Sequence, residues 1–313
     1  MSPILSLAIP TNGICEWVFP VLDSIYSQKV DESLFEVIVT DNGNNLNFNQ
    51  LIHEYKKKYS NLIYKKTNSI LFMNQIDAFK LCSGEFIKFV NHRSKFYPQS
   101  IHFLIKYVQD NLKEKPITFF SNGAIDIKNK MNYYSDFDSF VYGLSYLSSW
   151  SGGISCWKQD LNLALNNTII KDQSLYPHLK FVFLNLKGRQ YHIINNKLFD
   201  EIEAKAVKGS YDVFFAFGVE YIEIIQKLLE LSYIDKITYN HVFKDNEEFL
   251  IKLYANYIIL GKTCSYDLTT AEESLDRFYS FKRVRFLAWL NLFNKIPKKI
   301  INSKNKIIRT GGI

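Results

Sequence analysis

Residue types that do chemistry stand where the apolar runs of this chain stop. Thr11 follows the run Ile4–Ile9 and Pro10, Asp41 follows Phe35–Thr40, and Asn91-His92-Arg93 follows Phe86–Val90. A carboxylate in such a place accepts hydrogen bonds from N–H and O–H groups, and a guanidinium pairs with phosphate oxygens two at a time. Further along, Gly152-Gly153 lies between Trp150 and Trp157, and Asp172 and His178 come after them. A neutral imidazole accepts a proton readily near pH 7, and a carboxylate beside a reacting hydroxyl does the same work. The four cysteines (Cys15, Cys82, Cys156, Cys264) are far apart, which argues for reduced thiols and against a zinc cluster or disulfide framework.

The elements that must hold these residues alternate. Ile4–Ile9 reads as a strand, and helical spacing follows through Trp17, Val21, Leu22 and Ile25. Phe35–Thr40 is a β-rich run stopped by the turn Asp41-Asn42-Gly43, and a polar helix then runs to about Lys58. Leu62–Lys65 is a third strand, Asn74–Cys82 a helix closed by Ser83-Gly84, and Phe86–Val90 a fourth strand. Strands alternating with helices imply an α/β fold, with a mostly parallel sheet and helices on both faces.

Beyond this, Pro116–Ser121 adds a strand, and Met131–Ser149, rich in Tyr and Ser, reads as a loop. Ser151–Trp157 suits a short strand before a helix at about Lys158–Leu165, and a further helix is expected from Pro177 to Leu186. Helical spacing dominates Tyr221–Leu231, Glu247–Leu260 and Ala271–Phe293. The organisation expected is an α/β domain over residues 1–215 and a helical region over 216–313.

The 313 residues carry a net charge of +7, part of which comes from Phe281–Arg309, where basic residues recur with no acidic one among them. Phe286, Leu287, Trp289, Leu290 and Phe293 stand among those cations, a pattern that suits an amphipathic helix on an anionic membrane surface. Clustering in the tail, without one aromatic-interleaved basic face, argues against nucleic acid as the partner. Neither a signal-peptide pattern nor an apolar run long enough to span a bilayer is present, so a cytoplasmic location is expected.

Three segments, in this order, resemble the family 2 glycosyltransferases, which share the GT-A fold. They are LSLAIPTN at Leu5–Asn12 with the following Leu22-Asp23-Ser24-Ile25, EVIVTDNGN at Glu36–Asn44, and NQIDAFKLCSGEFIKFV at Asn74–Val90. The resemblance implies a nucleotide site at Pro10, Thr11, Asn12, Asp41, Asn74, Asn91 and His92, with Asn74 and His92 supporting its architecture. Ligands of open parallel sheets bind beyond the carboxyl ends of the strands, where Thr11, Asp41 and Asn91 stand. Asp41 is the first candidate for contact with a base N–H or a ribose hydroxyl, with a plain turn-forming role as the alternative.

One departure from the family pattern matters. Its members usually end the fourth strand with an Asp-any-Asp motif that helps hold Mn²⁺ or Mg²⁺ on the diphosphate, and here those positions are Asn91-His92-Arg93. A hard divalent cation wants carboxylate oxygens. A metal is therefore disfavoured, no other cofactor is called for, and Arg93, with Lys95 nearby, is expected to stabilise the leaving diphosphate. The literal Asp136-Phe137-Asp138 reads as loop decoration.

Aligned further, Ser151–Trp157 resembles the family's small-residue turn, and Pro177-His178 falls where its acidic pair usually begins a helix. His178, at an exposed helix N-terminus, is then one candidate base and Asp172 the other. Gly152 and Gly153 would let an acceptor approach the backbone, and Trp150 and Trp157 would stack on a sugar or pack the core. The whole implies an inverting transferase of the bacterial surface-polysaccharide type, peripheral at the inner face of the cell membrane. It would move a sugar from a nucleotide-sugar donor to a glycan or lipid-linked saccharide acceptor. The alternative is an inactive nucleotide- or sugar-binding scaffold, and the helical region would also suit a homo-oligomer interface.

Overall fold

The structure is a computed structural model that describes residues 2–126, 129–171, 174–203 and 211–293. The chain divides into two compact units, Met1–Lys205 with Lys227–Tyr239, and Ala206–Gln226 with Asn240–Ile313.

The first unit opens with β1 (Leu5–Thr11), α1 (Cys15–Tyr26), β2 (Phe35–Asp41), α2 (Leu46–Lys58), β3 (Leu62–Lys66), α3 (Asn74–Leu81) and β4 (Phe86–Phe89). Every strand and helix read from the sequence up to Phe89 is present, with ends shifted by a residue or two. The apolar face of α1, Trp17, Val18, Val21, Leu22 and Ile25, is buried at helical spacing against the sheet core. Asn45 caps α2 by accepting the N–H of Phe48 at 3.2 Å.

The unit continues through β5 (Ser94–Phe96), α4 (Ser100–Asp110), β6 (Ile117–Phe120), β7 (Met131–Tyr134), α5 (Phe137–Leu144), β8 (Ser155–Trp157), α6 (Leu161–Leu165), α7 (Leu179–Val182), β9 (Tyr191–Ile194) and β10 (Phe199–Glu201). The central sheet has the order β3-β2-β1-β4-β8; its first four strands are parallel and β8 runs antiparallel beside β4. A three-stranded sheet, β6-β9-β7, and a two-stranded ribbon, β10-β5, complete it.

Two expectations are corrected here. Met131–Ser149 is ordered structure: β7, then α5, which Asp136 caps through the N–H of Ser139 at 2.8 Å. Phe137, Phe140, Val141 and Leu144 are buried at the i, i+3, i+4, i+7 spacing of a helix, so the periodicity lay beneath a Tyr/Ser-rich composition. The helix expected over Pro177–Leu186 is the single turn α7, with Leu179, Phe181, Val182, Phe183 and Leu184 all buried. Two further elements, β5 and α4, fill Ser94–Asp110.

The second unit is helical, and the chain passes between units within α9 (Tyr221–Glu230) and again within α10 (Lys236–Tyr254). It holds α8 (Val213–Phe215), α11 (Ala271–Phe278) and α12 (Phe281–Phe293), so the run expected from Ala271 to Phe293 is two helices broken at Tyr279, whose backbone is extended. Buried Asn246 donates to the carbonyl of Phe217 at 2.8 Å and to the Tyr279 hydroxyl at 2.9 Å. Among the described residues no helix is long and apolar enough to cross a membrane.

Candidate functional site

Strand register brings the first site residues into one row. Thr11 pairs with Asp41 across β1 and β2, and Asp41 pairs with Lys66 across β2 and β3, all at the carboxyl edge of the parallel strands. The buried Asp41 carboxylate accepts the Gly43 N–H at 2.7 Å on Oδ1, and the Tyr64 hydroxyl and Lys66 ammonium on Oδ2, each at 3.1 Å. Asp41 thus builds its turn and closes an ion pair with Lys66, whose own side chain is part-exposed. Gly43 is obligatory there, because a Cβ would overlap the carbonyl of Asn12 on the neighbouring turn. Asn12 itself is exposed.

Asn74, the first residue of α3, ties this row together. Its amide donates to the carbonyls of Thr11 and Thr40 at 3.1 and 3.0 Å, and its Oδ1 accepts the Thr67 hydroxyl at 2.8 Å. Both ends of the side chain are engaged within the protein, which makes Asn74 a clamp between strand ends.

The end of β4 brings the next three residues to the same edge. His92 Nδ1 lies 2.9 Å from the Thr11 hydroxyl, and its ring meets Trp17 edge-on at 4.9 Å. Burial, with the Arg93 charge beside it, pulls the imidazole down to about 4, so it is neutral near pH 7. Arg93 stands over the Trp17 ring at 5.5 Å, donates to the carbonyl of Ile202 at 3.1 Å and pairs with Glu201 at 3.3 Å. Its cation is at the expected edge, shared with the Glu201 carboxylate from a distant part of the chain.

These residues do not fit a hard divalent cation. The Asn91 side-chain oxygen accepts the N–H of Arg93 at 3.1 Å, the His92 nitrogen faces Thr11, and the third position is a guanidinium. Asp136 and Asp138 offer no displaced site: the first caps α5, and the second accepts the N–H of Asp235 at 2.9 Å. Among the described residues no group of three or more His, Cys, Asp or Glu could hold a metal ion.

Opposite the end of β4 lies the turn Ser151–Gly153. Lys88, wholly buried within β4, donates to the carbonyls of Phe89, Gly152 and Ile154 at 2.8, 2.7 and 3.2 Å. This lysine, missed in the sequence because it sits inside the apolar run FIKFV, pins that turn to the strand end. The glycines serve ring packing: a Cβ on Gly152 would strike Trp150, and one on Gly153 would strike Phe119. Both glycines are buried, which corrects their expected role as an open approach for an acceptor. Trp157 is likewise core, its indole N–H donating to the Pro116 carbonyl at 2.8 Å; half-buried Trp150 packs near Phe199 at 6.0 Å.

His178 is 6% exposed, which corrects the exposed helix N-terminus expected for it. A carbonyl only accepts, so Nε2 carries the proton and donates to Ser149 at 2.9 Å. That leaves the Nδ1 lone pair buried and without a hydrogen-bond partner among the described residues. Burial lowers the imidazole to about 4. Asp172 lies outside the described residues.

The arrangement is a polar edge of carboxylate, hydroxyl, imidazole and guanidinium above a parallel sheet, suited to a ligand that carries hydrogen-bond donors and negative charge. No protein-family model matches this sequence, and no curated protein matches it. Solved structures do share the fold. S. aureus TarS residues 1–349 in complex with UDP-GlcNAc is 15% identical with a TM-score of 0.57, over 89% of this chain and 80% of that one. The same S. aureus TarS fragment in a second structure is 16% identical with a TM-score of 0.54, over 91% and 82%. The mannosyltransferase PcManGT from Pyrobaculum calidifontis, with GDP-Man and Mn²⁺, is 12% identical with a TM-score of 0.50, over 94% and 81%. At such identities the likeness carries the fold: a mostly parallel α/β sheet with flanking helices, as in the GT-A glycosyltransferases.

Proposed function

We propose that this chain is a glycosyltransferase of the family 2 type, acting in bacterial surface-polysaccharide synthesis. It moves a sugar from a nucleotide-sugar donor to a glycan or lipid-linked saccharide, with inversion and without a divalent metal. The carrying observation is the row Thr11–Asp41–Lys66 with His92 and Arg93 at the carboxyl edge of the sheet, in a fold shared with structures that hold UDP-GlcNAc and GDP-Man. In the donor complex a base or ribose donor replaces the part-exposed Lys66 on Asp41, and the diphosphate meets Arg93.

In the transfer, the acceptor oxygen bonds to the anomeric carbon, the bond from that carbon to the diphosphate breaks, and the acceptor proton passes to a base. The seal around His178 and its lowered basicity favour Asp172 as that base. His178 then holds the chain near Ser149 in place.

The test is a thermal-shift panel of UDP, GDP, CDP and dTDP, each with Mn²⁺ and with EDTA, followed by transfer assays with the sugar donors of the responding nucleotide. A shift and turnover that survive EDTA support the reading, since binding to the native state alone raises stability. Turnover abolished by chelator and restored by Mn²⁺ overturns metal independence. The buried His178 and the missing acidic pair also favour a second reading, an inactive scaffold that binds nucleotide; a shift with no transfer to any glycan would select it.

A further inference from the structure

The last described helix has two apolar faces. Val284 and Ala288 of α12 are buried within the second unit. Phe286, Trp289, Leu290 and Phe293 are 61, 45, 40 and 60% exposed. Their spacing, i, i+3, i+4, i+7, is that of one helical face, and at roughly 100° per residue it points opposite to Val284 and Ala288. A helix that served only to pack its unit would carry polar residues on that side. Here Trp289 and Phe293 stand together, with ring centroids 6.2 Å apart.

Charge decides what covers this face. Lys282, Arg283 and Arg285 are exposed at the start of α12, and among the described residues only Arg283 meets an acid there, Glu247 at 3.1 Å. From Arg277 to the end of the chain there are ten Lys and Arg residues and no Asp or Glu. A second copy seated on the same face would set like charge against like charge. An anionic lipid surface offers the complement: acyl chains for the aromatic stripe, and phosphates for long cationic side chains that lie along the interface.

We infer that α12 docks this protein on an anionic bilayer, lying in the interface with Phe286, Trp289, Leu290 and Phe293 turned to the acyl chains. Docking of this kind does not depend on sugar transfer, so each stands or falls alone.

The experiment is co-sedimentation of the full chain with vesicles of equal parts phosphatidylglycerol and phosphatidylcholine, against phosphatidylcholine alone. Tryptophan emission is read in parallel through quenching by brominated lipid, which reaches exposed Trp289 and spares buried Trp17 and Trp157. The wild type is expected to bind the anionic vesicles, with quenched emission, and to release at high salt. Phe286→Ser with Phe293→Ser should weaken binding at least about tenfold, while the thermal midpoint and any nucleotide shift stay as in wild type. A Lys298→Glu, Lys299→Glu variant separates the face from the tail. Binding that survives the serine pair but vanishes with the glutamate pair overturns the assignment. So does a wild type that ignores vesicles, or a serine pair that turns a dimer into a monomer without changing vesicle binding.

Discussion

Arg93 and Glu201 form an ion pair at 3.3 Å, linking the loop after β4 to the end of β10. Backbone fixes the same place: Ile202 donates its N–H to the Arg93 carbonyl at 2.8 Å, while the guanidinium reaches back to the carbonyl of Ile202. The cation is thus aimed before any ligand arrives, and Glu201 tempers its charge. Arg93→Gln should weaken nucleoside diphosphate binding in EDTA by about 10- to 100-fold, the value of a charge-assisted hydrogen bond. Arg93→Lys should not restore it, because an ammonium cannot reproduce the fork. Titration calorimetry checks both, and unchanged affinity in Arg93→Gln removes this residue from the site.

Asp41 and Lys66 lead to the second prediction. The carboxylate is buried and its ammonium partner part-exposed, so in the proposed donor complex a ligand would reach Asp41 by displacing Lys66. Lys66→Met should leave nucleotide affinity within about threefold of wild type, since in the proposed complex the ligand's own donor takes the place of Lys66 on Asp41. Asp41→Asn should abolish binding and lower the thermal midpoint, because the Gly43 N–H, Tyr64 and Lys66 all lose a charged acceptor. If Lys66→Met loses binding as fully as Asp41→Asn, Lys66 touches the ligand itself.

How much of this was legible differs between the halves of the first unit. Strand ends at Thr11, Asp41 and Asn91 could be read because apolar runs stop abruptly there, and parallel register then does the rest. The Ser83-Gly84 turn was visible too, but not its anchor: buried Glu36 on β2 accepts the Ser83 hydroxyl at 2.9 Å and the Gly84 N–H at 3.1 Å. Glu201 and Lys88 act through partners more than sixty residues away in sequence, and no local pattern announces such pairs. The burial of His178 was not legible because Pro177 suggests a helix start, whereas the residues after it, Lys180 apart, are apolar and carry the segment inside.

Buried histidines give the third prediction. His92, His178 and His192 are each drawn down to about 4 by burial, while unfolded imidazoles titrate near 6.5. Between those values the unfolded chain binds more protons, so stability falls as pH drops from about 6.5 toward 4. Each imidazole contributes at most about 1.4 kcal/mol per pH unit to that slope. His178→Gln, which keeps a donor near the Ser149 carbonyl, should flatten the slope measurably in urea titrations at several pH values. An unchanged slope would mean that His178 is not held neutral.

Lys88 gives the fourth. Its ammonium lies inside the sheet with carbonyls of Phe89, Gly152 and Ile154 as partners and the Phe120 ring at 5.3 Å, and no carboxylate pairs with it among the described residues. Burial lowers it to about 7 from the ordinary lysine value. Below about pH 7 both folded and unfolded chains carry the proton, and the native state bears the full cost of the buried charge. Above it the folded chain releases the proton while the unfolded chain keeps it until about 10.4, so stability rises with pH across that window. One proton gives a slope near 1.4 kcal/mol per pH unit. Lys88→Met should erase that contribution, leaving a flatter profile between pH 7 and 10 than wild type in the same denaturant series. It should also loosen the Ser151–Gly153 turn, whose Gly152 carbonyl loses its donor, seen as faster hydrogen exchange of the amides there. Equal pH slopes in the two proteins would show that Lys88 keeps its charge throughout, and the turn would then be pinned independently of pH.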